Sequence, residues 1–351
     1  MERDPRLILT TCGRRLLGEP GAAGDDHPTH RAGLELLAGA VEERLLAAGP
    51  GEAAGLSPEL NALLALNGGV MGDGGDFHVL VHSDARADAL AARLIGGWLR
   101  GRGQGVVIHA MPGLRSGEAV ALQRGLADFT RWCGEILARY RLHQFHVIFN
   151  PAGGSPVLGG MLQTLAPFYA DEAIFLLEPG TELARLVMPR VRLRDKKVFT
   201  RHFFCLRRLA AGLPITPEKL SGLDPDLLLF DERGIGLSYL GELLWDAHHR
   251  EFYGDRLLDP VSDLLILADP FRDAVVGLQR DRLELLNERL DQLALFLEGE
   301  RSNPAQLSFR AMADPRLPAT HQCHGWTDQA IWHLVGHYEG DRFVLDSLEK
   351  S

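Results

Sequence analysis

The sequence lacks the features of a membrane, secreted or nucleic-acid-coating protein. Its 351 residues contain no apolar run near the ~20 residues of a membrane span, and MERDPRLILTTCG at the start does not have the pattern of a signal peptide. The four cysteines (Cys12, Cys133, Cys205, Cys323) have no paired spacing, which predicts a reduced, cytoplasmic protein without disulfides. A net charge of −10 argues against a general nucleic-acid coat, so any contact with RNA or DNA must be local.

The composition is that of a globular protein, and strand patterns alternate with helical patterns. The chain is 46% hydrophobic and 24% charged, and it is long enough for two or three domains. Five apolar runs have strand character: residues 6–12, 77–81, 105–110, 146–149 and 173–177. Strands that alternate with helices predict an α/β fold with a parallel sheet covered on both faces.

The turn after the fourth strand is the most informative stretch. Asn150-Pro151-Ala152-Gly153-Gly154-Ser155-Pro156 lies between this strand and a helical pattern. A strand, a small-residue turn and a helix start present free backbone N–H groups, and two glycines let an anion approach them closely. Ligands of parallel sheets bind at the carboxyl ends of the strands, so we expect Thr10–Arg14 and His82–Asp84 beside this turn. The three segments predict an anion site.

Two common nucleotide-binding motifs are missing here. Gly154–Gly159 supplies half of G-x-x-x-x-G-K-[ST], but Gly160 and Met161 stand where Lys and Ser/Thr belong, which excludes a P-loop. No G-x-G-x-x-G follows the first strand, which argues against an NAD-dependent oxidoreductase. A glycine turn that serves only tight packing of strand against helix remains an alternative interpretation.

The strand ends resemble those of CRISPR-associated Rossmann-fold (CARF) sensors over about residues 6–190. The resemblance rests on Leu9-Thr10-Thr11-Cys12-Gly13, Ser83-Asp84, Asn150-Pro151-Ala152-Gly153-Gly154, Asp171-Glu172 and Leu177-Glu178. It implies a Rossmann-like sensor domain, residues 1–190, in a homodimer that binds a cyclic oligoadenylate across its two-fold axis. The expected activator is cyclic tetra-adenylate. The ligand-binding residues that it implies are Thr10, Thr11, Cys12, Gly13, Arg14, Ser83, Asp84, Asn150, Ala152, Gly153, Gly154 and Ser155.

The turn departs from the family pattern in its variable positions. The family commonly has Asn-x-Thr-Gly-Gly-aromatic-Lys, whereas Ala152, Ser155 and Pro156 occupy the last three variable positions here. The missing lysine removes a phosphate cation, which argues against cleavage of the ligand by the sensor itself. A ring nuclease that degrades the cyclic oligoadenylate remains an alternative, with Arg14 or Arg15 as the compensating cation.

Residues 191–258 contain the most basic run of this acidic chain: Arg192, Arg194, Lys196, Lys197, Arg201, Arg207 and Arg208. Helix, helix, ribbon and helix patterns over this region predict a winged-helix-like module. Two roles stay open for it. One is the DNA contact of a ligand-controlled transcription regulator, and the other is an interdomain or dimerisation layer that contacts no nucleic acid.

Residues 259–351 have two helical patterns followed by four strand-like segments, which predict a small α+β domain. This architecture, with histidines on the sheet and an end at Ser347-Leu348-Glu349-Lys350, resembles RelE-family mRNA interferases. The resemblance implies a metal-independent endoribonuclease that cleaves mRNA in the ribosomal A site, with the ribosome as partner. The catalytic candidates are His321, His324, His333 and Lys350, with Arg310 as a further phosphate contact.

Histidine suits metal-free RNA cleavage, which needs a base for the 2′-hydroxyl and an acid for the leaving oxygen near neutral pH. Ordinary surface histidines are the alternative. A zinc site at His321, Cys323 and His324 is awkward, because successive strand residues point to opposite faces. We therefore expect no metal and no catalytic cofactor. The resulting hypothesis is a type III CRISPR ancillary effector whose ligand activates a ribonuclease and arrests translation.

Overall fold

A computed structural model of the chain describes residues 4–18, 28–71, 75–113, 118–177, 182–299, 303, 307–316 and 318–350. The chain divides into two compact units, residues 1–192 and residues 193–351. The predicted boundary between residues 258 and 259 lies within the second unit, and the division into three domains stays a prediction. Within the described ranges, every helix is too short or too polar to span a membrane.

The first unit is an α/β domain around a six-stranded sheet. Its elements are β1 (Arg6–Cys12), α1 (Pro28–Ala47), α2 (Pro50–Leu56), α3 (Pro58–Leu66), β2 (Asp76–Ser83), α4 (Arg86–Arg100), β3 (Gly105–Met111), α5 (Ala119–Leu142), β4 (His146–Asn150), α6 (Pro156–Tyr169), β5 (Glu172–Leu177) and β6 (Glu182–Val187). The strand order is β3-β2-β1-β4-β5-β6, and only β6 is antiparallel to its neighbour. The Rossmann-like α/β prediction is confirmed, with β6 as an addition that the sequence did not predict.

The central strand β1 sets the position of the candidate ligand site. All seven of its residues are buried, because helices cover both faces of the sheet. At its carboxyl end, Thr10 pairs with Asn150 on β4 and Cys12 pairs with His82 on β2. The polar ends of three neighbouring strands therefore meet at one edge, as predicted.

The second unit contains two sheets. Its elements are α7 (Lys196–Arg201), α8 (Phe203–Ala210), β7 (Leu228–Asp231), β8 (Gly234–Leu237), α9 (Tyr239–Tyr253), β9 (Leu265–Leu267), α10 (Asp269–Ala274), α11 (Arg280–Leu297), β10 (Arg310–Arg316), β11 (Ala319–Thr327), β12 (Ile331–Glu339) and β13 (Arg342–Lys350). Strands β7 and β8 form a hairpin, and the larger sheet has the order β10-β11-β12-β13-β9. Strand β9, which the sequence did not predict, pairs in parallel with β13. Residues of α11 pack against one face of this sheet.

A buried ion pair joins α8 to α11. The Arg207 guanidinium lies 2.6 Å from the Asp291 carboxylate, and both side chains are less than 10% exposed. Tyr253 donates a hydrogen bond to the same carboxylate, and Arg207 also donates to the Asp259 carbonyl over 2.7 Å. The neighbouring Arg208 pairs with Glu298 at 3.0 Å. Two arginines of the basic run are thus engaged within the second unit.

Candidate functional site

The carboxyl end of β1 contacts the glycine turn directly. The Thr11 hydroxyl donates to the Gly153 carbonyl over 2.6 Å. Gly13 lies so close to Gly154 that a Cβ atom on Gly13 would be 2.6 Å from the Gly154 Cα. Only a glycine at position 13 lets the two backbones approach this far. The structure therefore brings two of the predicted ligand-binding segments together.

Asn150 and Ser155 fix the shape of the turn from its two ends. The Asn150 amide is fully buried, accepts from the Ala152 N–H over 3.2 Å and donates to the Thr10 hydroxyl over 3.4 Å. Ser155 is the N-cap of α6, where its hydroxyl accepts from the Leu158 N–H over 3.2 Å. Both side chains act on the turn itself, which leaves the backbone donors for a ligand.

Those backbone donors are the N–H groups of Gly153, Gly154 and Ser155. None of the three donates to an acceptor among the described residues, and the turn is half-buried. Gly154 has a φ of 83°, in the left-handed region. Successive N–H groups around such a residue form concavities that bind anions, and the start of a helix adds the positive end of its dipole. The turn has the features of an anion site.

The end of β2 is linked to α4 and to the residue after Gly13. The Ser83 hydroxyl donates to Asp88 over 2.5 Å, and the other Asp88 oxygen accepts from the Arg14 N–H over 2.9 Å. The Asp84 side chain is exposed and accepts from the backbone N–H of Gly113. The Arg14 side chain is exposed too, so its cation can reach a ligand at this edge.

Glu59 is part of this site and was missed by the sequence analysis. It lies at the start of α3 with no exposed surface, and its Oε1 accepts from the Gly13 N–H over 3.0 Å. Ser57 donates to its other oxygen over 2.6 Å, and a Cβ atom on Gly153 would overlap the carboxyl group. Burial raises the pKa of Glu59, and the negative charge of Asp88 adds to this effect against the hydrogen bonds. An acid in the first turn of a helix is so common that nothing in the sequence pointed to it.

The predicted ligand-binding residues thus divide by their access to solvent. Four are fully buried beneath the edge: Thr10, Thr11, Cys12 and Asn150. Burial, with the charges of Glu59 and Asp88, raises the pKa of the Cys12 thiol well above its ordinary value, so it is no nucleophile at neutral pH. Arg14, Asp84 and the turn reach the surface. Glu178, on which the resemblance also relied, lies outside the described residues.

One face of the larger sheet in the second unit carries a row of polar side chains. His324 on β11 lies directly opposite His333 on β12, with 6.5 Å between the ring centroids. His333 in turn lies opposite Glu349 on β13. Arg310 on β10 pairs with Gln322, whose amide oxygen accepts from the guanidinium over 3.2 Å. The structure therefore places three of the five predicted nuclease residues on one face.

The other two predicted nuclease residues, His321 and Lys350, lie on the face that the helices cover. Strand alternation puts His321 on the side of the buried Cys323. Its ring stacks on Phe309 with 5.4 Å between centroids and meets Tyr338 edge-on. Lys350 lies opposite Trp332, whose ring packs against the core on this side. The structure does not bring these two residues together with His324 and His333.

A histidine–carboxylate pair occurs farther along the polar face. His337 Nδ1 lies 2.8 Å from the Asp346 carboxylate, and this hydrogen bond raises the pKa of His337. In the part of the chain that the structure describes, no group of three or more histidine, cysteine, aspartate or glutamate side chains is placed to hold a metal ion.

Comparison with known families adds an independent finding for the first unit. Residues 54–190 match the family model described as CRISPR-associated protein (Cas_APE2256). The matched segment contains the glycine turn and Glu59, and its Rossmann-like fold is consistent with a CARF-type domain. The matched segment is therefore similar to CRISPR-associated proteins of this family. No curated protein matches the chain.

Proposed function

We propose that the protein is a type III CRISPR ancillary effector in which a cyclic oligoadenylate, bound at the glycine turn, activates RNA cleavage by the second unit. One observation carries this proposal. The free N–H groups of Gly153, Gly154 and Ser155 lie at the ligand edge of a Rossmann-like sheet, inside a segment that matches a CRISPR-associated family.

The proposed activator is cyclic tetra-adenylate, bound by a homodimer. A two-fold ligand fits a two-fold dimer in which each protomer supplies one turn for its phosphates. The exposed Arg14 supplies positive charge at the same edge. The turn lacks the lysine of the family pattern, which favours a binding role over cleavage of the ligand.

The proposed nuclease site is the polar face with Arg310, His324 and His333, in a RelE-like domain. One histidine accepts the proton of the RNA 2′-hydroxyl, which attacks the adjacent phosphorus. The other histidine donates a proton to the leaving 5′ oxygen, and the Arg310 guanidinium balances the charge that develops on the phosphoryl oxygens. The proposed substrate is mRNA in the ribosomal A site. Because the chain is acidic, its docking needs a contact with a ribosomal protein.

The region of residues 191–258 fits a winged-helix-like layer within the protein better than a DNA contact. A DNA-binding module needs its cations free for phosphates. Arg207 is buried against Asp291, and Arg208 is paired with Glu298. A ligand-controlled transcription regulator would thus have two cations fewer than its sequence suggested.

The test is an RNA-cleavage assay with the full chain, with and without translating ribosomes. Cyclic tri-, tetra- and hexa-adenylate are added separately, and a parallel sample contains EDTA. We expect cuts in mRNA that require cyclic tetra-adenylate and ribosomes and that EDTA does not prevent. No cutting with any ring size would refute the nuclease. Degradation of the cyclic ligand without cleavage of RNA would identify a ring nuclease. A salt-sensitive gel shift of promoter DNA would identify a transcription regulator.

A glycine substitution tests the ligand site separately. We expect Gly153→Ala to weaken cyclic tetra-adenylate binding by at least about tenfold, because the new Cβ atom overlaps the Glu59 carboxyl group and displaces the N–H groups of the turn. The measurement is isothermal titration calorimetry on the full chain.

Gly160→Ala is the matched control. Gly160 lies in α6 with no atom within 4 Å of an added Cβ. We expect this variant to bind as the natural protein does and to gain roughly 0.5–1 kcal/mol of stability, since alanine is the better helix former. Equal binding by the two variants would contradict the placement of the ligand at the turn.

A further inference from the structure

We propose that Glu59 is a positioning residue of the ligand site and that it takes up a proton when an anion binds at the glycine turn. This inference rests on the proposed function, since the anion in question is a phosphate of the cyclic oligoadenylate. Glu59 is not part of the resemblance to the CARF sensors, and no strand-end motif contains it.

The position of Glu59 ties β1 to the turn. Its carboxyl group fills the space beside Gly153 that any other residue's Cβ would occupy, and it holds the Gly13 N–H. Gly13 in turn packs against Gly154. A change in the charge or size of the Glu59 side chain therefore acts on both backbones that form the anion site.

The surroundings of Glu59 favour its neutral form. Its side chain has no exposed surface, and among the described residues no lysine or arginine pairs with it. The titratable group that acts on it is Asp88 on α4, whose negative charge raises the pKa of Glu59, whereas the hydrogen bonds from Ser57 and the Gly13 N–H lower it. Burial keeps the neighbouring Cys12 thiol on β1 uncharged. Strands β5 and β6, which also pack near α3, contribute the apolar Ile174 and Leu183 to this core.

An anion at the turn strengthens this preference. A phosphate on the N–H groups of Gly153 and Gly154 brings negative charge next to the buried Glu59 carboxyl, and a like charge disfavours ionisation. The proton comes from solvent, and no bond in the ligand changes. By linkage, a group that gains a proton on binding makes the affinity fall as pH rises through the range where it titrates in the free protein. The limit for one proton is about a tenfold change in affinity per pH unit.

The experiment measures proton uptake by the full chain with cyclic tetra-adenylate. Titration calorimetry in buffers of different ionisation enthalpy, between pH 5.5 and 8.5, gives the number of protons taken up per ligand bound. We expect uptake in the natural protein and none attributable to this site in Glu59→Gln, which keeps the size of the side chain and an oxygen for the Gly13 N–H. The affinity of Glu59→Gln should change with pH at least about threefold less.

His82 on β2 remains in both proteins, so any proton that it binds cancels in the comparison. Glu52→Gln is the matched control, since Glu52 is exposed on α2 and pairs only with Arg44 in the described chain, and this variant should keep the uptake. If Glu59→Gln does not fold, the infrared C=O band of a protonated carboxylic acid in the natural protein, intensified by ligand at high pH, is the substitute readout. Tight ligand binding with the same proton uptake in Glu59→Gln as in the natural protein would refute the role of Glu59 and leave the proposed function standing. Tight binding by the natural protein without such a band would have the same meaning. No binding of any ring size at any pH would refute the proposed function as well.

Discussion

Replacing His324 by alanine is expected to lower the rate of ligand-stimulated RNA cleavage by about 10²- to 10⁴-fold, which is the usual contribution of a general acid or base. His324 and His333 lie directly opposite each other on the neighbouring strands β11 and β12, on the polar face of the sheet. This placement allows one RNA phosphate to meet both rings, and Arg310 lies on the same face. His333→Ala should have a loss of similar size. Cyclic tetra-adenylate binding, measured in parallel by calorimetry, should stay unchanged in both variants.

His321→Ala is the control that separates the two faces of the sheet. The His321 ring stacks on Phe309 on the helix-covered side. Its removal should therefore lower the stability of the second unit, with a much smaller loss of cleavage rate than in His324→Ala. Cleavage is measured at a temperature where all three variants are folded, as judged by circular dichroism. If His321→Ala abolished cleavage while His324→Ala retained it, the catalytic face would be the other one.

Replacing Arg207 by alanine is expected to lower the free energy of unfolding of the second unit by about 3–5 kcal/mol, because the substitution leaves the Asp291 carboxylate buried without its cation. Tyr253 alone then remains to donate to that carboxylate from a side chain. The loss should persist at high salt, since solvent ions screen a buried pair only weakly. Denaturant unfolding of the full chain, followed by tryptophan fluorescence, measures it.

Arg201→Ala is the matched control for Arg207, from the same basic run. Arg201 is exposed at the end of α7, and a surface substitution of this kind changes stability by no more than about 0.5 kcal/mol. DNA binding at low salt is measured for both variants. Equal losses of stability would contradict the buried pair, and a loss of tight DNA binding in both would revive the transcription-regulator hypothesis.

The first sheet could be predicted because its strands are apolar runs that end in short polar turns. The strands β6 and β9 were missed for different reasons. Glu182–Val187 has partly exposed residues and lacks a continuous apolar run, and Leu265–Leu267 is too short to show a period. Both strands exist because a neighbouring strand offers them an edge, which is a tertiary effect.

The candidate sites were predictable only as far as their residues are neighbours in sequence. The glycine turn is formed by consecutive residues, and its sequence pattern predicts an anion site. Glu59 reaches the same turn from α3, far away in the chain, and only the fold places it there. From the sequence, strand alternation already places His321 and His324 on opposite faces of the sheet. Which of the two faces α11 covers depends on the tertiary packing. Arg201 and Arg207 have the same residue type in the same run, and only burial distinguishes them.

The position of β13 has a consequence for the order of folding. This strand lies between β12 and β9, so it is an interior strand of the larger sheet although it comes last in the described chain. Leu265 on β9 can pair only after Phe343 on β13 has been synthesised. Pairing between residues so far apart in the chain makes folding slow. During synthesis, β9 and β12 would each expose an unpaired edge until residues 342–350 leave the ribosome. His333 would pair with Glu349 only then, so the polar face is completed in a late step.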